Sequence, residues 1–475
     1  MPEPTSASQA ASPTGIAPQR GALVSAALLG AATLLVKVAS LAKDWLVARQ
    51  LGAGDELDAY LVAFLLPSYA VVVLAHSVAP AMMPSYVRLW RQQGLAAAQR
   101  LAGGVLAGVL ALLAVVTVLL LVVTPLVLPL VEIGFDPAKT ALTQRLFYPL
   151  SAVILASGLS ATLAAVLNAH ERFAATALAP IAVPLGTLAV FALYQEPYGV
   201  DALAAGTVVG FVVELLILTT VVAWHGLLPL PRMRSSDGGL GHVSSQYAHV
   251  AFGALLMSSS LVVDQSMAAG LGSGQISILT FGGKVVAVVL SVGAASLTTV
   301  LFPRFAHLIA SARFDELRAT LRWYVRLIFA VSIPGVVLLG LVSEPLVRLL
   351  FERGAFTADT TAAVTAVQLC LLPQIPFYVL AMLGARVLSA LDGNPIVLRI
   401  GAVNLVMNVG GNLLLMQWFG VRGIALSTSL MYVVAAAITM LAIRFKLAEV
   451  AGSTPGHAAT RKPPSPDGDR PSDAR

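Results

Sequence analysis

Ten ionisable side chains lie within stretches of sequence that are otherwise long and apolar. They are Lys37, Lys43, Asp44, Asp58, Arg145, Glu214, Asp264, Lys284, Arg326 and Arg386. A charge near the centre of a bilayer costs at least about 2.5–3.5 kcal/mol, so most of these groups must face a wet cavity, pair with one another or lie near an interface. The deep charges are mostly cations, and an excess of cations in a cavity predicts an anionic substrate such as a phosphate cluster.

The first apolar stretch carries three of these charges. Lys37 and Lys43 are separated by about 120° around a helix, so they fit a broad cavity wall rather than one narrow stripe. Lys37 and Asp44 share one helix face, two turns apart. Lys43 with Asp44 also fits an interfacial ion pair that has no functional role. In the second half of the chain, Lys284 is the most isolated cation.

The composition identifies the class of protein that must position these charges. The chain has 475 residues, of which 58% are apolar and only 11% charged, and its mean hydropathy is +0.86. Soluble domains carry about 25% charged residues, so a soluble enzyme, a nucleic-acid-binding protein and a disordered scaffold are excluded. The single cysteine, Cys370, forms no intramolecular disulfide. The polar start of the chain does not resemble a cleavable signal peptide. These features predict a polytopic membrane protein.

The apolar stretches predict an all-α polytopic membrane protein with about 12 transmembrane helices, because each is long enough to cross a bilayer as a helix. The predicted limits are 22–47, 56–83, 101–124, 141–167, 173–195, 202–224, 246–270, 276–302, 321–343, 362–390, 395–417 and 423–445. They form two parallel six-helix lobes around a central cleft. The predicted divisions are a disordered N-terminal tail (1–21), an N-lobe (22–224), an inter-lobe loop (225–245), a C-lobe (246–446) and a disordered C-terminal tail (447–475).

Lysine and arginine are unevenly distributed between the two sets of loops. If the N-terminus is placed inside, the inner loops and the tail that follows the last span contain 12 lysines and arginines. The outer loops contain 5, and they also contain aspartates and glutamates that offset this positive charge. This bias predicts that both termini are cytoplasmic, because inner loops carry the excess of basic residues.

The two halves of the sequence echo each other at a spacing near 220 residues. Gly52-Ala53-Gly54 recurs as Gly272-Ser273-Gly274, and Val166-Leu167-Asn168-Ala169 recurs as Val387-Leu388-Ser389-Ala390. Chance similarity between Ala- and Leu-rich helices is the alternative explanation. A true repeat with an even number of spans relates the lobes by an axis along the membrane normal, which is typical of transporters that work by alternating access.

Four stretches resemble the MurJ/MviN family, which belongs to the larger group of multidrug, oligosaccharidyl-lipid and polysaccharide exporters. They are KVASLAKDWLVARQLGAGDELDAYLVAFLLP at 37–67, VDQSMAAGLGSGQISILTFGGKV at 263–285, LFERGAFTADTT at 350–361 and NLVMNVGGNLLL at 404–415. The resemblance implies a flippase that carries lipid II, an undecaprenyl-pyrophosphate-linked peptidoglycan precursor, across the bacterial inner membrane.

The resemblance also implies roles for individual residues. Lys37, Lys43 and Lys284 stand where the family has cavity arginines that hold the pyrophosphate, and Asp44 and Asp58 are expected as counter-charges in that cavity. A second set resembles a sodium site found in some members. It comprises Asp264, Asn404, Asn408 and Thr428. Asn404 and Asn408 are four residues apart on one helix face, which suits oxygen coordination of a small hard cation.

The chain departs from the family pattern in ways that keep a second substrate open. Lysines replace the cavity arginines, Val71 and Leu65 replace basic residues, FGGK at 281–284 replaces YADR, and we count twelve spans instead of fourteen. A relative that moves another lipid-linked saccharide, such as an exopolysaccharide or O-antigen repeat unit, would share the same prenyl-pyrophosphate handle. A multidrug antiporter is a further alternative, although it would favour a more acidic cavity. The last alternative is a protein that transports nothing and acts only as an interaction partner of other proteins.

No motif in the sequence indicates an enzyme. The internal loops are too short for a catalytic segment, and Gly283-Lys284 lies inside a span and does not form a phosphate-binding loop. We expect a monomer in contact with membrane lipid, with no nucleic-acid partner and no cofactor, whose transport is coupled to sodium, to protons or to the membrane potential.

Overall fold

The computed structural model describes residues 19–229, 239–296, 302–311 and 313–453. All the regular structure in these ranges is helical, which confirms the predicted all-α class. The first half contains eight α-helices. They are α1 (Gln19–Leu51), α2 (Asp55–Ala70), α3 (Val78–Gln93), α4 (Leu95–Val131), α5 (Pro137–Ala169), α6 (Phe173–Leu178), α7 (Ala182–Tyr198) and α8 (Val200–Trp224).

The second half contains nine α-helices within the described ranges. They are α9 (Gly239–Ala269), α10 (Gln275–Ser296), α11 (Phe302–Ala310), α12 (Phe314–Leu341), α13 (Ser343–Phe351), α14 (Ala358–Leu371), α15 (Gln374–Ala390), α16 (Asn394–Phe419) and α17 (Val421–Ser453). Short turns join successive long helices, so the chain crosses the bundle repeatedly. We call the end that holds the start of α2 and the start of α10 the distal end.

Nine helical segments of the described chain are long and apolar enough to cross a membrane, and the bent pair α14–α15 makes a tenth. The helices α1 and α10 occupy the two remaining predicted positions, and α10 contains a shorter apolar stretch, Gln275–Ser291. Large apolar side chains on the outside of the bundle are strongly exposed, for example Leu193 at 75% and Leu341 at 77%. Such a surface suits contact with lipid rather than with water.

The helices form two groups that correspond to the predicted lobes. Helices α1–α8 pack mainly on one another, and so do α10–α17, whereas α9 packs on both groups. Between the groups, α9 lies along α2, α3 and α4, while α10 meets α2 and α13 meets α1. The lobes therefore touch along a seam on one side and at the distal end.

Several boundaries differ from those expected. Helix α1 begins at Gln19, within the predicted N-terminal tail, and α17 continues to Ser453, within the predicted C-terminal tail. Helix α9 begins at Gly239, within the predicted inter-lobe loop, because Leu240 and Val243 pack against the N-lobe although the surrounding sequence is polar. The rest of the two predicted tails, 1–18 and 454–475, lies outside the described residues.

The second span is broken near its middle. A π-helical segment, Val71–Ala75, separates α2 from α3, and Pro67 lies one turn before it. π-Helical turns of this kind are rare and frequently occur at functional sites. The tyrosines Tyr69 and Tyr247 join this break to the other lobe: Tyr69 Oη donates to the carbonyl of Leu255, and Tyr247 Oη to that of Leu74.

Candidate functional site

The centre of the site is one carboxylate that bridges two lysines. Asp44 Oδ1 lies 2.9 Å from Lys43 Nζ, and Asp44 Oδ2 lies 2.8 Å from Lys284 Nζ. Asp44 and Lys43 belong to α1 of the N-lobe, whereas Lys284 belongs to α10 of the C-lobe. The ion pair between Asp44 and Lys284 therefore joins the two lobes.

The helices fix the directions of these side chains. Lys43 and Asp44 lie about two turns before the end of α1, where the helix is already half-buried. Lys284 is held by the packing of α10 on α14, because Gly282 lets the two helices approach closely. A Cβ atom at Gly282 would lie 2.6 Å from the side chain of Val367. Gly282 therefore serves close helix packing, whereas a Cβ atom at Gly283 would make only an ordinary contact, at 3.9 Å from the side chain of Leu371.

The bridge carries an excess of positive charge that solvent can reach. The side chains of Lys43 and Lys284 are 25% and 35% exposed, whereas that of Asp44 is 11% exposed. Lys37 is exposed on the same helix and lies close enough to Lys284 for their charges to interact. Two ammonium groups thus contact one carboxylate, and a third lies near Lys284. Each lysine keeps donors that Asp44 does not use, and these can bind the oxygens of an anionic ligand.

A second polar cluster lies inside the C-lobe, around Asp264 of α9. Asp264 Oδ1 accepts hydrogen bonds from Asn408 Nδ2 at 2.9 Å and from Asn412 Nδ2 at 2.7 Å. The hydroxyl of Thr428 donates to Asp264 Oδ2 at 3.3 Å. Three helices, α9, α16 and α17, therefore contribute to one carboxylate-centred cluster.

The oxygen atoms of this cluster are only partly used. The side-chain oxygens of Asn404, Asn408 and Asn412 are buried and accept no hydrogen bond from the described residues. Buried polar atoms are rarely left without a partner. In the structure Asn408 and Asn412 turn their amide nitrogens to Asp264, and a rotation of each amide would add its free oxygen to the carboxylate and hydroxyl oxygens, which is the donor set that hard cations prefer. The residues present thus fit a small cation.

At the distal end, Asp58 of α2 caps the first turn of α10. Its side chain is fully buried, and its oxygens accept from the backbone N–H groups of Gly274 (2.7 Å) and Ser277 (2.8 Å) and from the Ser277 hydroxyl (2.6 Å). Lys139 Nζ lies 3.1 Å from the same carboxylate. A carboxylate at a helix N-terminus is stabilised by free N–H groups and by the helix dipole. We call this set of contacts the distal latch.

The repeated glycine motifs meet at the distal latch. Gly274 has a φ of +78°, and a Cβ atom there would lie 2.6 Å from the carbonyl oxygen of Ala53. Gly52 has a φ of +61°, and a Cβ atom there would lie 2.5 Å from the carbonyl oxygen of Ala355. Both positions require glycine because of backbone conformation and close approach. The echo between the halves of the sequence therefore marks a place where the two lobes touch.

The structure brings together some of the expected residues and separates others. Lys43, Asp44 and Lys284 meet as one cluster, with Lys37 beside it. Asp58 was expected as a counter-charge in the same cavity. Its carboxylate instead bonds to Lys139 and to the start of α10, because it lies at the N-terminus of α2 rather than deep in the bundle.

Sequence reasoning missed three residues of these clusters. Asn412 continues the four-residue spacing of Asn404 and Asn408, so one further helical turn would have found it. Lys139 lies between the predicted spans 101–124 and 141–167, so it is one of the five cations assigned to the outer loops. Ser277 gave no signal, because two of the three donors to Asp58 are backbone groups.

The sequence matches a family model described as "Lipid II flippase MurJ" over residues 47–454. One relative is the lipid II flippase MurJ of Burkholderia cenocepacia, which is 27% identical over 70% of this chain and 66% of its own length. Another is a probable lipid II flippase MurJ of Helicobacter pylori, which is 26% identical over 84% of this chain and 90% of its own length.

Solved structures share the fold at lower identity. A lipid II flippase MurJ in an inward closed conformation aligns with a TM-score of 0.76 at 20% identity, covering 89% of this chain and 90% of its own. An inward-facing multidrug transporter of the MATE family and MOP superfamily aligns with a TM-score of 0.71 at 15% identity, covering 89% and 96%. The two-lobed architecture is thus shared between lipid and drug transporters.

Proposed function

The chain belongs to the lipid II flippase MurJ family, and from that premise we propose that it carries lipid II across the bacterial inner membrane by alternating access. The observation that supports this most is the Lys43–Asp44–Lys284 bridge, in which cations from both lobes share one carboxylate. A pyrophosphate is a dense anion that can accept from both lysines at once. Binding of the head group would thus connect the lobes.

The bridge suggests how binding is coupled to movement. In the structure, Asp44 occupies one donor of Lys43 and one of Lys284, so a head group that binds both lysines fully must displace this carboxylate, and one that uses their remaining donors must share them with it. Lys37 lies one to two turns from the bridge on α1 and extends the cationic surface towards the end of the chain where α1 begins. We infer that the head group first meets Lys37, then Lys43 and Lys284, and that its binding replaces the internal ion pair between the lobes.

The distal latch supports an orientation for this cycle. We propose that the distal end faces the outside of the membrane and that both termini are cytoplasmic, as the distribution of basic residues predicts. The latch is closed in the structure because Asp58 bonds directly to α10. A substrate would then enter from the cytoplasmic side, and release outside would require the latch to part.

Lysines in place of the family's arginines do not remove the anion site. Lys284 reaches Asp44 across the lobe interface at 2.8 Å, so a lysine is long enough to act from this position. We favour lipid II over another lipid-linked saccharide because the matching family model and the relatives are named as lipid II flippases. We also infer that the chain acts as a monomer, performs no covalent chemistry and binds no nucleic acid, because the proposed cycle needs only lobe movement and a lipid-linked anion.

We propose that a sodium ion is held by Asp264, Asn408, Asn412 and Thr428, with Asn404 adjacent. The buried amide oxygens without partners support this assignment. A bound cation would supply a positive charge to an acid that is surrounded by neutral groups. The substitution Asp264→Asn should abolish any dependence of transport on sodium, whereas Glu214→Gln, in the other lobe, should leave it intact. Sodium-independent transport by the unmodified protein would refute the ion assignment and leave the lipid proposal standing.

The test of the substrate is complementation of a bacterial strain depleted of its own lipid II flippase. We expect the unmodified chain to restore growth and Lys284→Met to fail at the same membrane abundance. Arg145→Met is the matched control because Arg145 forms an exposed pair with Asp201 and takes no part in the bridge. Failure of the unmodified chain here, with rescue of a strain that lacks an exopolysaccharide flippase, would assign the second substrate instead.

A further inference from the structure

Lys139 is a buried cation that the proposed substrate site does not use. It lies in the first turn of α5, and its side chain is 7% exposed. Its Nζ atom lies 2.7 Å from Asp55 Oδ1, 3.1 Å from Asp58 Oδ2 and 4.1 Å from the ring centroid of Phe135. Burial of an ammonium group is costly unless it is paired, so these contacts are specific features of the fold.

The groups that bond to Lys139 all belong to the N-lobe. Asp136 caps α5 by accepting from the backbone N–H of Lys139 at 2.7 Å. The ring of Phe135 covers the ammonium group, and both acids that pair with it belong to α2. Every one of these partners lies in the N-lobe. The ion pairs of Lys139 therefore need no C-lobe group, although the ring of Phe135 also packs in a cluster that includes Ile276 of the C-lobe.

Asp58, in contrast, has partners in both lobes. Gly274 and Ser277 donate three hydrogen bonds from the start of α10, and Lys139 provides the charge from the N-lobe. If the distal end opens, Asp58 loses all three donors from the C-lobe and keeps only Lys139. The two sets of partners thus contribute differently to the closed and open states.

The contribution of Lys139 depends on whether water reaches the carboxylate. In the closed state Asp58 is fully buried, so loss of its paired cation leaves an uncompensated buried charge. In the open state water would solvate Asp58, and a solvated ion pair contributes little. The Lys139–Asp58 pair consequently stabilises the closed state more than the open state.

We propose that Lys139 is a positioning residue that sets the balance between closed and open distal ends, by pairing with the Asp58 carboxylate and keeping it aimed at the start of α10. This inference rests on the proposed alternating access, but not on the identity of the substrate. Asp55 is the lesser partner, because its side chain is 58% exposed and solvent screens its charge.

The test measures access to a buried position beneath the distal latch. Val62 lies one turn after Asp58, is fully buried and packs in a cluster that includes Ile276 of the C-lobe. With Cys370→Ala as background, Val62→Cys is exposed to a membrane-impermeant maleimide applied from the outside. We expect Lys139→Met to raise the labelling rate at least tenfold, because the open state becomes more populated.

Three matched variants interpret the result. Lys139→Arg retains the charge and should restore slow labelling, and Arg145→Met, which removes an exposed cation from the same helix, should have no effect. Ala165→Cys reports on the interior of the N-lobe, where Ala165 is fully buried, and should remain unlabelled.

Unchanged labelling of Val62→Cys in the Lys139→Met variant would overturn the inference. Equal acceleration at Val62→Cys and Ala165→Cys would also overturn it, since Lys139 would then hold the N-lobe together rather than set the latch. Because no substrate is present, either result leaves the lipid II proposal untouched. Failure of lipid II transport would likewise leave the latch inference standing.

Discussion

Two acids of the N-lobe meet the same helix of the C-lobe, yet their surroundings differ. Asp44 meets the middle of α10 through Lys284, in a cluster whose lysines are 25% and 35% exposed. Asp58 meets the start of α10 through backbone N–H groups and is fully buried. A negatively charged ligand can take the place of the Asp44 carboxylate beside Lys43 and Lys284. The contact of Asp58 is satisfied by the protein itself and can only close or open.

This difference assigns separate tasks to the two ends of one interface. An ion pair with spare donors and access to water binds weakly and is easily replaced. A buried carboxylate with three hydrogen bonds and a paired lysine is costly to disrupt. The middle of α10 is therefore suited to recognise an anion, and its N-terminus is suited to hold the lobes together.

The largest expected effect concerns the distal latch. Asp58→Ala removes the acceptor for Gly274, Ser277 and Lys139 together, so the closed state should lose about 3–5 kcal/mol. With Val62→Cys as the reporter, labelling from the outside should accelerate by about 100-fold or more. Labelling that stays slow would show that the apolar contacts between the lobes close this end without the carboxylate.

An intermediate effect is expected at the anion site. Asp44→Asn should free Lys43 and Lys284 from their internal acid and tighten the binding of lipid II by about tenfold, which is roughly 1.4 kcal/mol. The measurement is the dissociation constant of lipid II for the purified protein at low and high salt. Weaker binding in the Asp44→Asn variant would contradict the exchange model, because Asp44 would then position the lysines rather than compete with the ligand.

A smaller effect is expected at a third acid, which lacks the partners of Asp58. Glu132 follows the end of α4, is buried, and neither of its carboxylate oxygens has a hydrogen-bond partner among the described residues. Burial raises the pKa of Glu132 to about 6 from an ordinary 4.5, although nearby threonine hydroxyls act in the opposite direction. The folded state thus prefers the protonated form, so stability falls as the pH rises from about 4.5 to about 6.

The substitution Glu132→Gln should therefore raise the stability of the protein at pH 7 by about 1 kcal/mol, after allowance for partial screening by solvent. The measurement is the thermal unfolding midpoint in detergent at pH 4 and at pH 7. The variant should exceed the unmodified protein only at pH 7. An equal difference at both pH values would show that the side-chain charge is not the cause.

The sequence was sufficient to predict the class of fold, and with the family resemblance it named every residue of the lysine bridge and all of the Asp264 cluster except Asn412. Length and hydropathy placed the helices, and helical spacing placed Lys37 and Asp44 on one face of α1. The pairing of Asp44 with Lys284 could not be predicted from the residues, because it depends on how two distant helices cross. Resemblance to a family suggested both residues but not their direct contact.

The distal latch was not predicted for a physical reason. The main donors to Asp58 are backbone N–H groups at a helix start, which any residue type can provide, so they leave little mark in the sequence. Lys139 is visible in the sequence as a cation between two predicted spans, but the sequence does not indicate that it pairs with Asp55 and Asp58. The glycines Gly52 and Gly274 were visible as an echo between the halves, but their role in close approach of the lobes requires coordinates.

The account depends most on the claim that Lys43 and Lys284 hold the pyrophosphate from opposite lobes. The direct measurement is the rate at which the purified protein, reconstituted in liposomes, translocates lipid II. Lys284→Met should lower this rate at least tenfold, and Arg145→Met should transport at the unmodified rate. Equal rates for all three proteins, with lipid II transport intact, would contradict the claim that the cationic bridge binds the head group.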